Sequence, residues 1–282
     1  MTTTENDTRI PVIFILSPGH SGSTLLDLLI SGHNDIVTGG EFRTWDKQLN
    51  QPCTCGAETV WRCDFWQAVN DELKSYGYDI VDIEQHGRDT DDFADFNDKL
   101  FRAMQYHSGA SVILDSSKRP KRLRALLQHP DKFNVHIILL TREPLGVMAS
   151  NMRKGRALWP ISLSINRGHL KQLLYAHKAS SFVMYEDFVK TPDNELQRLM
   201  HSVGLDYEPG QKNPADKTFH NLGGNRLRFE GLDQLEIDNS WKTRLTLSEK
   251  IMAVILTIPG RLFNRLGALV CKLACWSYQR KT

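Results

Sequence analysis

The stretch that most constrains the fold is "PVIFILSPGHSGSTLLDLLI", residues 11–30. Residues 12–16 form a continuous apolar run of strand length, which suits a strand covered on both faces of a parallel sheet. Leu25, Leu26, Leu28, Leu29 and Ile30 then supply the apolar part of a helix beginning near Ser23. Between the two lies Gly19, His20, Ser21, Gly22, Ser23 and Thr24. A glycine-bearing turn that feeds a helix N-terminus offers backbone N–H groups and a positive dipole end to an anion. The three hydroxyls add donors. A nucleotide triphosphatase loop would carry GxxxxGK[ST], but Gly22 stands here where that pattern needs its lysine. A plain strand-to-helix turn is the competing reading of the same residues.

The pattern recurs. "DIVTGGEF" (35–42) reads as a short strand whose end carries Glu41, and "SVILD" (111–115), "VHIILLTR" (135–142) and "SSFVMYEDF" (180–188) read as further strands. Helical segments separate them. "PLGVMASNMRKG" has proline at an early helical position, and "PDNELQRLMHSVGL" closes on glycine. Residues 50–110 lack a clean strand and read as a mostly helical insertion. The expectation is an α/β fold: a P-loop-like open parallel sheet with helices on both faces, plus that insertion. A lead-in over 1–9 precedes one domain over 10–250, and residues 251–282 form a tail. Ligands of such sheets sit at the carboxyl ends of the strands. The loops after Leu16, residues 36–37, Leu114 and Leu140 therefore share one crevice.

Composition narrows the function classes. A net charge of +2 over 282 residues gives no case for nucleic-acid binding by bulk charge. The basic residues cluster instead in "KRPKRLR" (118–124) and "RKGR" (153–156), where a concentrated anion could bind. The polar N-terminus lacks the plan of a signal peptide, and no run reaches the ~18 apolar residues of a membrane span, so a cytoplasmic protein is expected. Cys53, Cys55 and Cys63 in "CTCGAETVWRC" invite a zinc proposal. They supply only three thiols, and no fourth ligand is evident. Buried free thiols or a loop disulfide are the preferred readings, and no metal is assigned.

The second chemical signal is "LLTREPLGVMASNMRKGR". Arg142 leaves the end of a strand and Ser150 follows eight residues later, in a helix. A guanidinium there can hold a phosphate through two parallel N–H bonds, with Ser150, Arg153 or Lys154 binding the same group. Read alone, Arg142 is a salt-bridged residue and Ser150 a packing residue.

Together the two segments resemble the paired nucleotide motifs of the sulfotransferases that use 3′-phosphoadenosine 5′-phosphosulfate (PAPS). "GGEFR" resembles the Gly-Glu-Glu-x-Arg stretch of the tyrosylprotein sulfotransferases. "VILDSSK", "VMYEDF", "CTCG…CDFW" and "HNLGGNRLRF…DNSWKTRL" resemble stretches of the bacterial members, so the likeness covers roughly residues 11–246. The resemblance implies PAPS as sulfuryl donor, without a metal. Gly19 to Thr24 would hold the 5′-phosphosulfate and Arg142 with Ser150 the 3′-phosphate, with Lys154, Tyr185, Asn225 and Arg228 as further nucleotide contacts. It implies Glu41 as general base, against the competing reading that Glu41 pairs with Arg43 or Lys118 as structure. Lys118, which follows the third strand, could stabilise or protonate the leaving oxygen, and His20 could assist with a hydrogen bond. His33 and His107 rank lower as bases. Two departures stand out: the family's loop usually has arginine where this chain has His20, and the second glutamate of the tyrosylprotein motif is Phe42. Protein tyrosine is therefore not supported as acceptor. A hydroxyl on a carbohydrate, lipid or small metabolite remains. A P-loop small-molecule kinase and an inactive nucleotide-binding protein of the same fold are the alternatives.

The tail places Leu262, Leu266, Leu269, Leu273 and Trp276 on one helical stripe, with Arg261, Arg265 and Lys272 mostly away from it. Such a helix can lie on an anionic membrane, on the core, or on a second copy of the chain. Trp241 reads as a core residue.

Overall fold

A computed structural model describes residues 7–42, 45–81, 91–212, 217–230 and 237–279. Five parallel strands, β1 (Ile10–Leu16), β2 (Ile36–Gly40), β3 (Val112–Asp115), β4 (Phe133–Thr141) and β5 (Ala179–Met184), lie in the order β2-β3-β1-β4-β5. The α/β class and the parallel sheet follow the sequence expectation. β1 is central, with Phe14 opposite Asp115 on one side and Leu16 opposite Leu139 on the other. The chain moves to one side of β1 for β2 and β3, then crosses to the other for β4 and β5. That reversal leaves a crevice at the carboxyl end of β1.

The helices, in chain order, are α1 (Ser23–Ile30), α2 (Trp45–Gln48), α3 (Asp64–Ser75), α4 (Asp91–Ser108), α5 (Pro120–Leu127), α6 (Pro144–Met152) and α7 (Leu158–Tyr175). They continue with α8 (Tyr185–Lys190), α9 (Pro192–Ser202), α10 (Leu227–Glu230), α11 (Trp241–Arg244), α12 (Leu247–Leu256) and α13 (Ile258–Gln279). β1 is buried on both faces. Ile13 and Ile15 join Leu26, Leu29, Phe188 and Leu199 on one side, while Val12, Phe14 and Leu16 face the insertion on the other. The insertion shares the core: Phe93, Phe96, Leu100, Phe101 and Met104, at helical spacing on α4, pack into the same cluster as Phe14.

Two local readings change. "SSFVMYEDF" is not one strand: β5 stops at Met184 and Tyr185 opens α8. Glu186 and Asp187 in the first turn suit the positive end of a helix, and Glu186 also accepts the N–H of Glu143 at 3.0 Å. The basic run 118–124 is not wholly open to an anion either. Arg122 is 5% exposed; its Nε donates to Asp115 Oδ2 at 2.6 Å and its Nη2 to Asn97 Oδ1 at 2.7 Å. Its guanidinium carbon lies 4.9 Å from the Phe42 ring centre.

At the other end, α13 packs on α7 and β5 through Cys271 and Gly267, and Leu262, Leu266, Leu269, Leu273 and Trp276 are exposed. No single described helix is long and apolar enough to cross a membrane; α12 and α13 together form a pair bent by 55°. Trp241 is half-buried against the apolar cluster that includes Leu145 and Ile165.

Because Asp115 is wholly buried, removing Arg122 leaves its charge without a counter-ion. Arg122→Leu is expected to lower unfolding free energy by about 3–5 kcal/mol, and Asp115→Asn added to it is expected to restore part of that loss. Urea titration of the three proteins measures both steps.

Candidate functional site

Four strand ends define the site. Beyond β1, Ser17 and Pro18 lead into the glycine loop, and Gly22 takes φ +89° just before α1. A Cβ on Gly22 would lie 2.4 Å from the Tyr185 ring, so the loop and α8 touch through a position that only glycine fits. Beyond β2, Gly40 (φ +71°) bridges to Leu222, and the N–H of Glu41 donates to the Leu222 carbonyl at 2.7 Å. Beyond β3, Asp115 Oδ1 accepts the N–H of Ser117 at 2.9 Å, which turns the chain so that Lys118 follows. Beyond β4 come Arg142 and α6.

His20 and Lys118 are the two non-glycine residues with positive φ, 66° and 61°, among those described. Such backbone costs an L-residue on the order of 1–2 kcal/mol, and it concentrates where the surrounding structure fixes a functional geometry. Lys118 Nζ donates to Glu41 Oε1 at 2.5 Å, both side chains being largely buried. His20 Nδ1 lies 3.1 Å from Ser150 Oγ, so the loop after β1 meets α6 directly. Ser150 Oγ also accepts from Arg153 Nη2 at 3.3 Å. Burial and the charges of Lys154, Arg156, Lys118 and Arg153 push the His20 imidazole down to about 4. It is neutral at pH 7 and ringed by cations.

Arg142 sits with its guanidinium carbon 4.4 Å from the Tyr185 ring centre and its Nη2 3.2 Å from Asp238 Oδ2. Arg153 lies 3.7 Å from the same oxygen. Against the upward push of burial, hydrogen bonds from Ser240 and Arg142 hold the Asp238 carboxyl at about 2. A carboxylate therefore occupies the space between Arg142 and Arg153.

The segment 221–228 closes the other side. Asn225 N donates to Thr24 Oγ1 at 3.3 Å, and Arg228 Nη1 donates to the carbonyls of Asn221 and Gly223 at 3.2 and 2.7 Å. Beneath it lies Asp27, wholly buried, accepting from Asn221 Nδ2 at 2.7 Å and Thr38 Oγ1 at 3.1 Å. Burial pushes its carboxyl up to about 6, in spite of bonds from Ser116 and Thr38.

The structure thus brings together the loop of Gly19 to Thr24, Glu41, Lys118, Arg142, Ser150, Tyr185, Asn225 and Arg228, with Lys154 exposed at the margin. The lower-ranked histidines are committed elsewhere. His33 is bonded to the Asp206 carbonyl at 2.9 Å, and His107 pairs with Glu72 at 3.0 Å. Arg43, the other cation that could pair with Glu41, lies outside the described residues. Asp27 and Asp238 escaped sequence reasoning: an aspartate in an apolar helix and another in "DNSW" were the signals available.

A five-stranded parallel sheet whose central strand runs into a lysine-free anion loop, facing an arginine and a serine from the next strand-helix unit, is the framework of a group transferase. The chain belongs to the sulfotransferase family, whose model matches residues 11–209. The fold is similar to the sulfotransferase domain from the Synechococcus PCC 7002 olefin synthase, at 18% identity and a TM-score of 0.53, covering 91% of this chain and 96% of that one. It is also similar to the sulfotransferase domain from the curacin biosynthetic pathway, at 20% identity and a TM-score of 0.53, covering 88% and 97%. No curated protein sequence matches.

The depressed imidazole has a sign. A folded value near 4 against an ordinary 6.5 means that the folded chain binds less proton between those pH values. The stability tied to His20 is therefore present above pH 6.5 and lost as pH falls towards 4. An NMR titration, with the His20 resonance assigned by its loss in His20→Gln, is expected to show a midpoint near 4. A midpoint near 6.5 would contradict the cationic, half-buried setting.

Proposed function

We propose that this sulfotransferase takes its sulfuryl group from PAPS and delivers it to a hydroxyl of a carbohydrate, lipid or small metabolite. The observation that carries the reading is the convergence of the anion loop, the Lys118–Glu41 pair and the Arg142–Ser150 pair on one crevice. The residues fit the donor's two anionic ends. Among the described residues, Ser17, Ser21 and Ser117 carry buried hydroxyls without a hydrogen-bond partner near the ends of β1 and β3, and such groups call for an acceptor. Ser21, Ser23, Thr24 and the N-terminus of α1 would hold the 5′-phosphosulfate, with His20 giving a neutral hydrogen bond where the family usually has arginine. Arg142, Ser150 and Arg153 would hold the 3′-phosphate, and Tyr185, Lys154, Asn225 and Arg228 would border the nucleotide.

PAPS supplies an activated sulfuryl group when bound. Glu41 then accepts the proton of the attacking hydroxyl at its carboxylate oxygen. As the acceptor oxygen bonds to sulfur and the sulfur–oxygen bond to the nucleotide phosphate breaks, Lys118 would turn its ammonium from Glu41 to that departing oxygen, where negative charge grows. The ion pair is thus the resting partnership of the proposed base and the proposed acid. Arg142 and Ser150 fix the nucleotide end so that donor and acceptor line up. None of these roles needs a metal. The exposed stripe of α13 is the surface by which the chain would meet a membrane or a second copy of itself.

Calorimetry with adenosine 3′,5′-bisphosphate, AMP and ATP tests the donor site. The bisphosphate is expected to bind tightest, and Arg142→Ala to weaken it by about 10- to 100-fold, the worth of one charge-assisted bond. Equal or tighter ATP binding that requires magnesium would favour a kinase. With labelled PAPS and a panel of hydroxyl acceptors, Glu41→Gln is expected to lower turnover by ~10²–10⁴ and leave bisphosphate affinity nearly unchanged. Binding without turnover in the wild type would favour an inactive nucleotide-binding protein.

A further inference from the structure

The structure supplies what the cysteine spacing lacked. His220, 157 residues from Cys63 in sequence, brings its Nδ1 to 3.1 Å from Cys63 Sγ and 3.9 Å from Cys53 Sγ. Cys55 Sγ lies 3.6 Å from Cys63 Sγ, and the four ligand atoms all lie within 4.8 Å of one another. These are not the distances of a disulfide, whose sulfurs sit about 2.05 Å apart, and all three cysteines are unpaired. Zinc bonds of about 2.3 Å to sulfur and 2.0 Å to nitrogen put tetrahedral ligands about 3.5–3.8 Å apart. The observed spacings straddle that range.

We propose that Cys53, Cys55, Cys63 and His220 form a structural zinc site that pins the helical insertion to the segment 219–222 behind Glu41. Three soft thiolates and an imidazole select zinc over the hard cations, and four protein ligands leave no open position for catalysis. Each thiol gives its proton to solvent as it binds.

The surroundings are built as a ligand cage is built. A tight turn at Gly56 (φ +94°), closed by Gly56 N to Cys53 O at 3.1 Å, places Cys53 and Cys55 side by side. The imidazole of His220 is stacked 4.5 Å from the Phe65 ring, and its carbonyl accepts from Trp66 Nε1 at 2.9 Å. Thr54 Oγ1 donates to the Phe219 carbonyl at 2.7 Å and accepts the Asn221 N–H at 2.9 Å. Both partners of the thiol turn are thus held on the histidine-bearing segment from either side.

The link to chemistry is short. Asn221, next to His220, bonds to Asp27, and Leu222, one further on, accepts the N–H of Glu41. A metal at Cys53, Cys55, Cys63 and His220 would therefore fix the backbone against which the proposed base is set, without touching a reacting atom.

Full-length protein purified without chelator from zinc-supplemented cells is expected to carry one zinc per chain by inductively coupled plasma mass spectrometry. Cys55→Ser and His220→Ala are each expected to lose most of it. Wild-type protein stripped with a reversible thiol mercurial and a chelator, then given cobalt(II), is expected to show thiolate-to-cobalt charge transfer and the intense visible bands of tetrahedral cobalt. The cobalt spectrum decides the question even if a variant fails to fold. Zinc-free wild type that also gives no tetrahedral cobalt spectrum would overturn the site. So would a disulfide among these three cysteines in native protein by mass spectrometry.

Discussion

A carboxyl group without access to water, that of Asp27, joins three parts of the site that come from distant stretches of sequence. It sits on α1, just behind the anion loop, and receives hydrogen bonds from Thr38 on β2 and Asn221 in the segment that caps β2. Burial makes its ionised form costly, and several donors around one carboxyl are what make it tolerable. An apolar residue of similar size would leave the amide of Asn221 and the hydroxyl of Thr38 facing hydrocarbon. The positions of the anion loop, of Glu41 and of the closing segment 221–228 are in this sense one structural fact.

Rigidity of that kind explains how strain can persist at His20 and Lys118. Each holds a left-handed backbone conformation, and neither would keep it in an isolated peptide. His20 is held by its bond to Ser150, and Lys118 follows a turn fixed by Asp115, which is itself anchored by Arg122 and, through Arg122, by Asn97 and the aromatic rings of α4. The insertion therefore supports the site from behind. Its phenylalanines fill the core below β1 and β3, and the guanidinium among them carries that packing forward to the loop that bears Lys118.

How much of this was legible in the sequence depends on the range of the forces involved. The strands announced themselves because parallel strands buried on both faces need unbroken apolar runs, as in residues 12–16 and 137–140. The end of β5 did not, because "VMYEDF" continues the apolar pattern while its acidic residues answer to a helix N-terminus that only the fold defines. Glu41, Lys118, Arg142 and Ser150 stood out through their spacing from strand ends. Asp238 did not, since its bond to Arg142 spans 96 residues, and no local pattern records a contact of that kind. His220 was hidden for the same reason. Arg122 looked like surface charge because its neighbours in the run are basic, and only the three-dimensional placement of Asp115 and Asn97 turns it inward.

The carboxylate of Asp238, lying between Arg142 and Arg153, makes the cationic pocket self-neutralising. Any anion that takes this position must first displace a tethered rival whose local concentration does not change with dilution. The affinity that a phosphate would show there is then a difference between two anions' hold on the same pair of guanidiniums. Substitution of Asp238 and substitution of Arg142 consequently act in opposite directions on the same equilibrium. A pocket of this design would hold an anion less tightly than its density of positive charge suggests.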